Sequence, residues 1–260
     1  MAHDYHQFIN RIHKDIGINL NLYKEAQMKR RLTSLRNNRG FKDFNTYYHA
    51  IMQNTELKDE FIDRITINVT EFYRNPKRWD ILHKQILPQI TKNKNSLNIW
   101  SAACSTGEEP YTIALIIKEH FPNIKVNILA TDIDENVLKI AKQGVYKEDS
   151  LKDLPSYYKH KYFTFENGLF TIDQSVKRNI VFRRHDLLQS KYPRNKDLII
   201  CRNVLIYFTD EAKDQIYKNF SDSLSEEGVL FVGSTEQIFN PKEYNLFAME
   251  TFFYQKRKEG

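Results

Sequence analysis

Cysteine is almost missing from this 260-residue chain, and its two copies, Cys104 and Cys201, stand apart with no C-x-x-C pair. That spacing excludes a disulfide framework and offers no zinc ligand set, so free thiols and no bound metal are expected. Long apolar runs are missing too, none approaching the roughly 20 residues needed to cross a bilayer. The N-terminal stretch MAHDYHQFINRIHKD is amphipathic and charged, without the uninterrupted apolar core of a secretory signal. A cytoplasmic protein with no direct membrane insertion is the expectation. The three glycines of a G-x-G-x-x-G turn are also lacking.

What remains is a globular composition, 41% hydrophobic, at a length that fits one large α/β domain or a small domain joined to a larger one. The net charge of +6 favours an acidic partner: nucleic acid, an anionic membrane or a glutamate-rich protein surface. A solvated basic surface explains the same excess equally well.

Up to about residue 90 every periodic segment reads as helix. Phe8, Ile9, Ile12 and Ile16 form a stripe that stops at Gly17, and Met28, Leu32 and Leu35 form another that ends at Gly40. Asp43 is placed to cap a third helix carrying Phe44, Tyr47, Tyr48, Ile51 and Met52, and Thr55 a fourth carrying Phe61, Ile62 and Ile65. Asn75-Pro76 signals a fifth, with Trp79, Leu82, Ile86 and Ile90 on one face. From residue 97 strands and helices alternate: strands at 97–101, 126–131, 180–184, 197–201 and 229–233, and helices at 111–121, 135–142 and from about 210. That rhythm predicts a doubly wound parallel sheet. Residues 162–166 and 169–173 flank Asn167-Gly168 and predict an inserted β-hairpin, while 247–255 reads as one last antiparallel strand. The expected organisation is an all-α domain at 1–75, a linker helix and connection at 76–96, and an α/β domain at 97–260 with an antiparallel β-subdomain inserted at about 145–180.

The richest stretch is LNIWSAACSTGEEPY at 97–111, a strand that turns through small residues into a helix. Such a turn brings backbone close to a nucleotide-type ligand. Glutamates at the helix start repel a pyrophosphate, so a nucleoside cofactor without phosphate fits better. Asp132 ends the next strand 25 positions after Gly107, near the spacing at which a carboxylate takes ribose hydroxyls; Asp134 is the more natural cap of the following helix. After the strand at 180–184 comes His185-Asp186-Leu187, where the Asp186 carboxylate or a backbone group is placed for an adenine amino group and Leu187 for the ring. After the strand at 197–201 come Arg202, Asn203 and Tyr207, polar groups clustered where a reaction pocket belongs.

Four motifs, N-V-T-E-F-Y-R at 68–74, W-S-A-A-C-S-T-G-E-E-P-Y at 100–111, A-T-D-I-D at 130–134 and C-R-N-V-L-I-Y-F at 201–208, run in order through nearly the whole chain. In them the sequence resembles the CheR-type chemotaxis receptor methyltransferases, which use S-adenosylmethionine and release S-adenosylhomocysteine. The resemblance implies a helical domain over a class I methyltransferase domain with a β-subdomain. It also implies cofactor contacts at Asn68, Thr70, Arg74, Ala103, Asp132, Asp186, Leu187, Arg202 and Asn203, and at Glu109 or its neighbour Glu108. The implied reaction is methyl esterification of glutamates on the cytoplasmic helices of chemotaxis receptors.

That chemistry needs no general base, because a glutamate is already ionised at neutral pH. Arg74 and Tyr207 are expected to position the reacting groups rather than to move protons. Lys24, Lys29, Arg31 and Arg36, spread along the second helix, are expected to face the acidic receptor, against the alternative that their stems merely cover the core. A nucleic-acid methyltransferase is disfavoured, because the Asn/Asp-Pro-Pro-aromatic turn of that class is replaced by R-N-V-L at 202–205. A non-catalytic cofactor-binding adaptor is the third reading, and the joint presence of Arg74, Asp132 and Tyr207 speaks against it.

Overall fold

The computed structural model describes residues 2–257 and divides into two compact units, residues 2–68 with 204–216 and residues 69–203 with 217–257. In the first unit, helices Ala2–Ile16, Glu25–Asn38, Phe44–Gln53 and Thr55–Thr66 follow the four apolar stripes. Gly17 ends the first helix in the left-handed region, where its missing Cβ removes the steric cost (φ 83°). Phe8 stands at the centre of the aromatic core, with ring centroids 5.0 Å from Phe44, 5.9 Å from Tyr47 and 5.9 Å from Phe61. Asp43 caps the third helix by accepting the Thr46 N–H at 2.7 Å. The fourth is capped by Asn54, which accepts the Leu57 N–H, so Thr55 is its first helical residue rather than its cap.

The second unit holds a seven-stranded sheet and a three-stranded one. The strands are β1 (Ser96–Ala102), β2 (Lys125–Asp132), β3 (Val145–Tyr146), β4 (Phe163–Glu166), β5 (Leu169–Ile172), β6 (Ile180–Arg184), β7 (Lys196–Cys201), β8 (Leu224–Val232), β9 (Leu246–Glu250) and β10 (Phe253–Lys256). The large sheet runs β6-β2-β1-β7-β8-β10-β9, and the small one β3-β5-β4. Strands β6, β2, β1, β7 and β8 are parallel, and β10 and β9 close the edge antiparallel. Strand order reverses between β1 and β7, and in an open α/β sheet a ligand lies beyond the carboxyl ends at that switch point. Central strands such as β7 are buried on both faces and read as continuous apolar runs, whereas the edge strand β6 is mostly exposed.

Three expectations are corrected. The last segment is two strands, β9 and β10, and Phe247 pairs with Gln255, the two ends of the strand expected from 247–255. The reversal carries no glycine, proline or asparagine; it is made by Phe252 in the left-handed region (φ 74°), which no turn signal announces. The helix after Pro76 is interrupted, because Leu82–Ile86 forms a π turn between Pro76–Ile81 and Leu87–Thr91. Asn75 precedes it in the left-handed region (φ 63°) with no side-chain cap bond. Strand β8 begins five residues earlier than expected, with Glu227 in the left-handed region (φ 61°) and a register shift against β7.

Candidate functional site

In the α/β unit, the loop after β1 is stitched to the end of β2. Cys104 N–H donates to the Thr131 carbonyl at 2.8 Å, and Ser105 N–H donates to Asp132 Oδ2 at 2.8 Å. The other oxygen of Asp132 accepts the Asp134 N–H at 3.1 Å, while Asp134 caps the next helix through the Asn136 N–H. Ala103 (φ 63°) and Ser105 (φ 48°) both sit in the left-handed region, which costs of order 1–3 kcal/mol each and persists where the surroundings over-determine the backbone. Gly107 (φ 96°) completes the turn. A Cβ there would meet Ala141 at 3.0 Å and the Tyr111 and Tyr146 side chains at 3.2 Å, so only glycine lets the turn close.

The two glutamates that open the helix Glu108–His120 have different surroundings. Glu108 accepts from Thr106 Oγ1 at 2.7 Å and bonds Ser150 near the β-subdomain. Glu109 accepts from Ser101 Oγ at 2.8 Å and lies 3.7 Å from the Arg202 guanidinium, with 12% of its side chain exposed. Arg202 is 3% exposed there; it donates to the Arg74 carbonyl at 2.8 Å and lies over the Phe231 and Trp79 rings. Arg74 itself donates to the Val69 carbonyl at 3.0 Å, closing the segment 69–74 into a loop. Burial pushes both glutamates up to about 7 and Asp132 up to about 6. Buried polar atoms without a partner in this region include Ser105 Oγ and Arg202 Nε.

Asp186, at the end of β6, turns its carboxylate onto its own loop, accepting from the Leu188 N–H at 2.8 Å and Gln189 Nε2 at 3.1 Å. Leu187 is buried and its carbonyl accepts from the Tyr192 hydroxyl at 2.7 Å. Thr70 is half-buried. Among the described residues no group of three or more His, Cys, Asp or Glu is placed to hold a metal ion, and no helix is long and apolar enough to cross a membrane.

In the helical unit, Tyr207 sits on a short turn, Leu205–Tyr207, tied to the second helix. Its carbonyl accepts the Lys24 N–H at 2.9 Å, and the Arg31 guanidinium lies 5.8 Å from its ring. Arg31 also donates to the Arg64 carbonyl at 3.2 Å and lines a cavity of about 470 Å³ with Arg30, Arg64 and Glu60, the last of which is paired with Arg39. Burial and the neighbouring guanidiniums push Arg31 down. Lys29 and Arg36 instead lie over the core rings Tyr5 and Phe44. Asn68, at the end of this unit, donates to Thr66 Oγ1 at 3.0 Å and Asp63 Oδ1 at 3.2 Å.

Residues 68–253 match the family described as "CheR methyltransferase, SAM binding domain", and residues 3–66 match "CheR methyltransferase, all-alpha domain". The chain belongs to the CheR methyltransferase family. It is 43% identical to the chemotaxis protein methyltransferase of Listeria monocytogenes over 97% of both chains. It is 37% identical to that of Borreliella burgdorferi over 95% of this chain and 92% of the relative. With chemotaxis protein methyltransferase 1 of Pseudomonas aeruginosa it shares 31% identity, over 94% and 93% respectively.

S-adenosylmethionine is thus the cofactor of this fold, and the residues present fit it. Carboxylates rather than a phosphate cradle follow β1 and end β2, and a carboxylate such as Asp132, with about four lone-pair sites, can accept hydroxyl donors beside the backbone N–H groups it already holds. The unpartnered Ser105 Oγ and Arg202 Nε are polar atoms that a bound nucleoside can satisfy. Of the CheR motif residues, the α/β unit brings Glu109, Arg202 and Arg74 into one buried network and pins Ala103 and Asp132 to one loop. Lys24, Arg31 and Tyr207 come together in the helical unit. Sequence reasoning missed Ser101, which orients Glu109, and Glu236, whose carboxylate accepts the Asn203 N–H. The signal for Glu236 was one carboxylate directly behind the apolar strand 229–232, in G-S-T-E at 233–236.

Proposed function

We propose that this methyltransferase esterifies glutamate side chains on the cytoplasmic helical domain of chemotaxis receptors, acting in the cytoplasm. When bound, S-adenosylmethionine supplies a methyl group on a positively charged sulfur that leaves as a neutral thioether. Asp132 holds the ribose hydroxyls, Ala103 gives the adenosine close backbone approach, Leu187 packs on the ring and Asp186 receives its amino group. Glu109, tied to Ser101 and Arg202, holds the cationic end; Glu108 faces Ser150 and stays structural. Arg202, Asn203, Arg74 and Thr70 close the methionine side.

The observation that carries the substrate assignment is the pairing of Arg31 with Tyr207 beside a pocket of three arginines. A carboxylate acceptor is drawn to guanidiniums and met by a phenol that can hydrogen-bond it, without any base to deprotonate it. Arg31 faces the receptor at this pocket and Lys24 beside Tyr207, while Lys29 and Arg36 add long-range attraction from rims packed on aromatic rings. Tyr207 and Arg74 orient the acceptor and donor for in-line transfer, and such alignment supplies roughly 7–11 kcal/mol in favourable systems.

The deciding experiment incubates the protein with methyl-labelled S-adenosylmethionine and receptor cytoplasmic fragments, then treats the product with mild alkali. Glutamyl esters release volatile labelled methanol. Label that stays on the receptor, as on methylated amines, sinks the ester assignment.

A further inference from the structure

Glu236 lies outside every motif that identified the family, and it is 5% exposed. Its Oε2 accepts two backbone N–H groups, Asn203 at 2.7 Å and Gly233 at 2.8 Å, and its own N–H donates to the Gly233 carbonyl at 3.0 Å. One carboxylate therefore clamps the carboxyl ends of β7 and β8 together. The clamp explains two local peculiarities. Asn203 is held in the left-handed region (φ 62°), directly after Arg202. A Cβ at Gly233 would fall 2.3 Å from Glu236 Oε2 and 2.8 Å from Asn203 N, so glycine is needed for the carboxylate to come this close.

The charge balance around the clamp is uneven. Glu109, Glu236 and Asp132 are set against the buried guanidinium of Arg202; burial pushes Glu109 up and Arg202 down, and the field of Glu236 acts upward on both. The donor carries a positive sulfur and the product does not, so an excess of buried negative charge separates the two.

We propose that Glu236 is a positioning residue of the cofactor site: its grip on two N–H groups holds the turn that presents Arg202 and Asn203, and its negative charge makes the site favour the sulfonium donor over the neutral product. The inference rests on the cofactor and is independent of the methyl acceptor.

Calorimetric titration of the full chain with S-adenosylmethionine and, separately, S-adenosylhomocysteine tests it. Glu236→Gln keeps an oxygen to accept both N–H groups but removes the charge. It is expected to weaken donor binding about tenfold while product binding stays within about twofold. Glu236→Ala releases the turn and is expected to weaken both ligands by about tenfold or more. A glutamine variant that binds both ligands as the parent does, or loses both equally, overturns the proposal. If the alanine variant does not fold, the glutamine variant alone decides. A parent protein that binds neither ligand overturns the proposal together with the cofactor assignment, and the parent titration tells that failure apart.

Discussion

The two units handle charge in opposite ways. The helical unit displays cations at its surface around an open cavity, with Arg30 and Arg64 exposed and Arg31 half-buried. The α/β unit buries carboxylates, Glu108, Asp132 and Glu236, and ties each to backbone N–H groups or hydroxyls. Exposed charge acts over a Debye length of about 8 Å at physiological salt and is screened, whereas buried charge acts locally and is hardly screened. The first arrangement suits capture of a diffusing macromolecule, and the second suits discrimination of one small ligand.

The comparison breaks most severely at Arg202. Replacing it with Met removes the buried cation facing Glu109, and orphaning a buried charge typically costs about 3–5 kcal/mol. Thermal melting should register the loss directly, and cofactor binding should be abolished; an unchanged melting temperature would mean that the pair is not a working contact. Asp132→Ala is next. It strips the acceptor from the Ser105 and Asp134 N–H groups as well as from the ribose, and calorimetry should show donor and product weakened by roughly 10- to 100-fold.

At the basic surface, Arg31→Glu should raise the receptor KM about tenfold and flatten its dependence on salt, with product binding untouched. If cofactor and receptor binding fall together, the division of labour between the units is wrong. Tyr207→Phe should lower kcat about tenfold, the scale of one lost hydrogen bond, at constant cofactor affinity. Turnover equal to the parent's would remove the phenol from the reaction.

The smallest effect sharpens the comparison through pH. Asp132 and Glu109 are raised by burial to about 6 and about 7, so between about pH 5 and 8 they pass from protonated to ionised in the folded protein. A cationic donor favours the ionised forms. Its affinity should therefore rise with pH across this window and level off above it, with a shallower rise for the neutral product. The same shifts act oppositely on folding. Raised carboxyl pKa values mean that the folded state binds more protons than the unfolded one, so their contribution to stability is fullest below about pH 4 and declines as pH climbs to 7. An affinity that is flat with pH would leave these carboxyls with a structural role alone.

Much of this was legible in the chain, for reasons that differ by element. Strand β6 was bounded to the residue by its sequence, and the four N-terminal helices followed apolar stripes that only helical periodicity explains. Those are local signals, one residue type at one spacing. The split of 247–255 into two strands was invisible, because Phe252 makes the turn without a residue that favours one. The π turn at Leu82–Ile86 likewise leaves the apolar face of that helix unbroken and gives no mark in composition.

Sequence alone determined the family, the alternation of the parallel strands with the main helices, and which residue types stand at those strands' carboxyl ends. Hydrophobic period and motif spacing are properties of neighbouring residues, which the chain carries before it folds. Only the tertiary structure decided which of two adjacent glutamates meets Arg202, that Tyr207 keeps company with Arg31, and that Glu236 grips Asn203. Each of these is a contact between segments far apart in the chain, or a choice of direction at a turn. Such contacts are set by packing and by the need to satisfy buried N–H groups, and no local pattern records them.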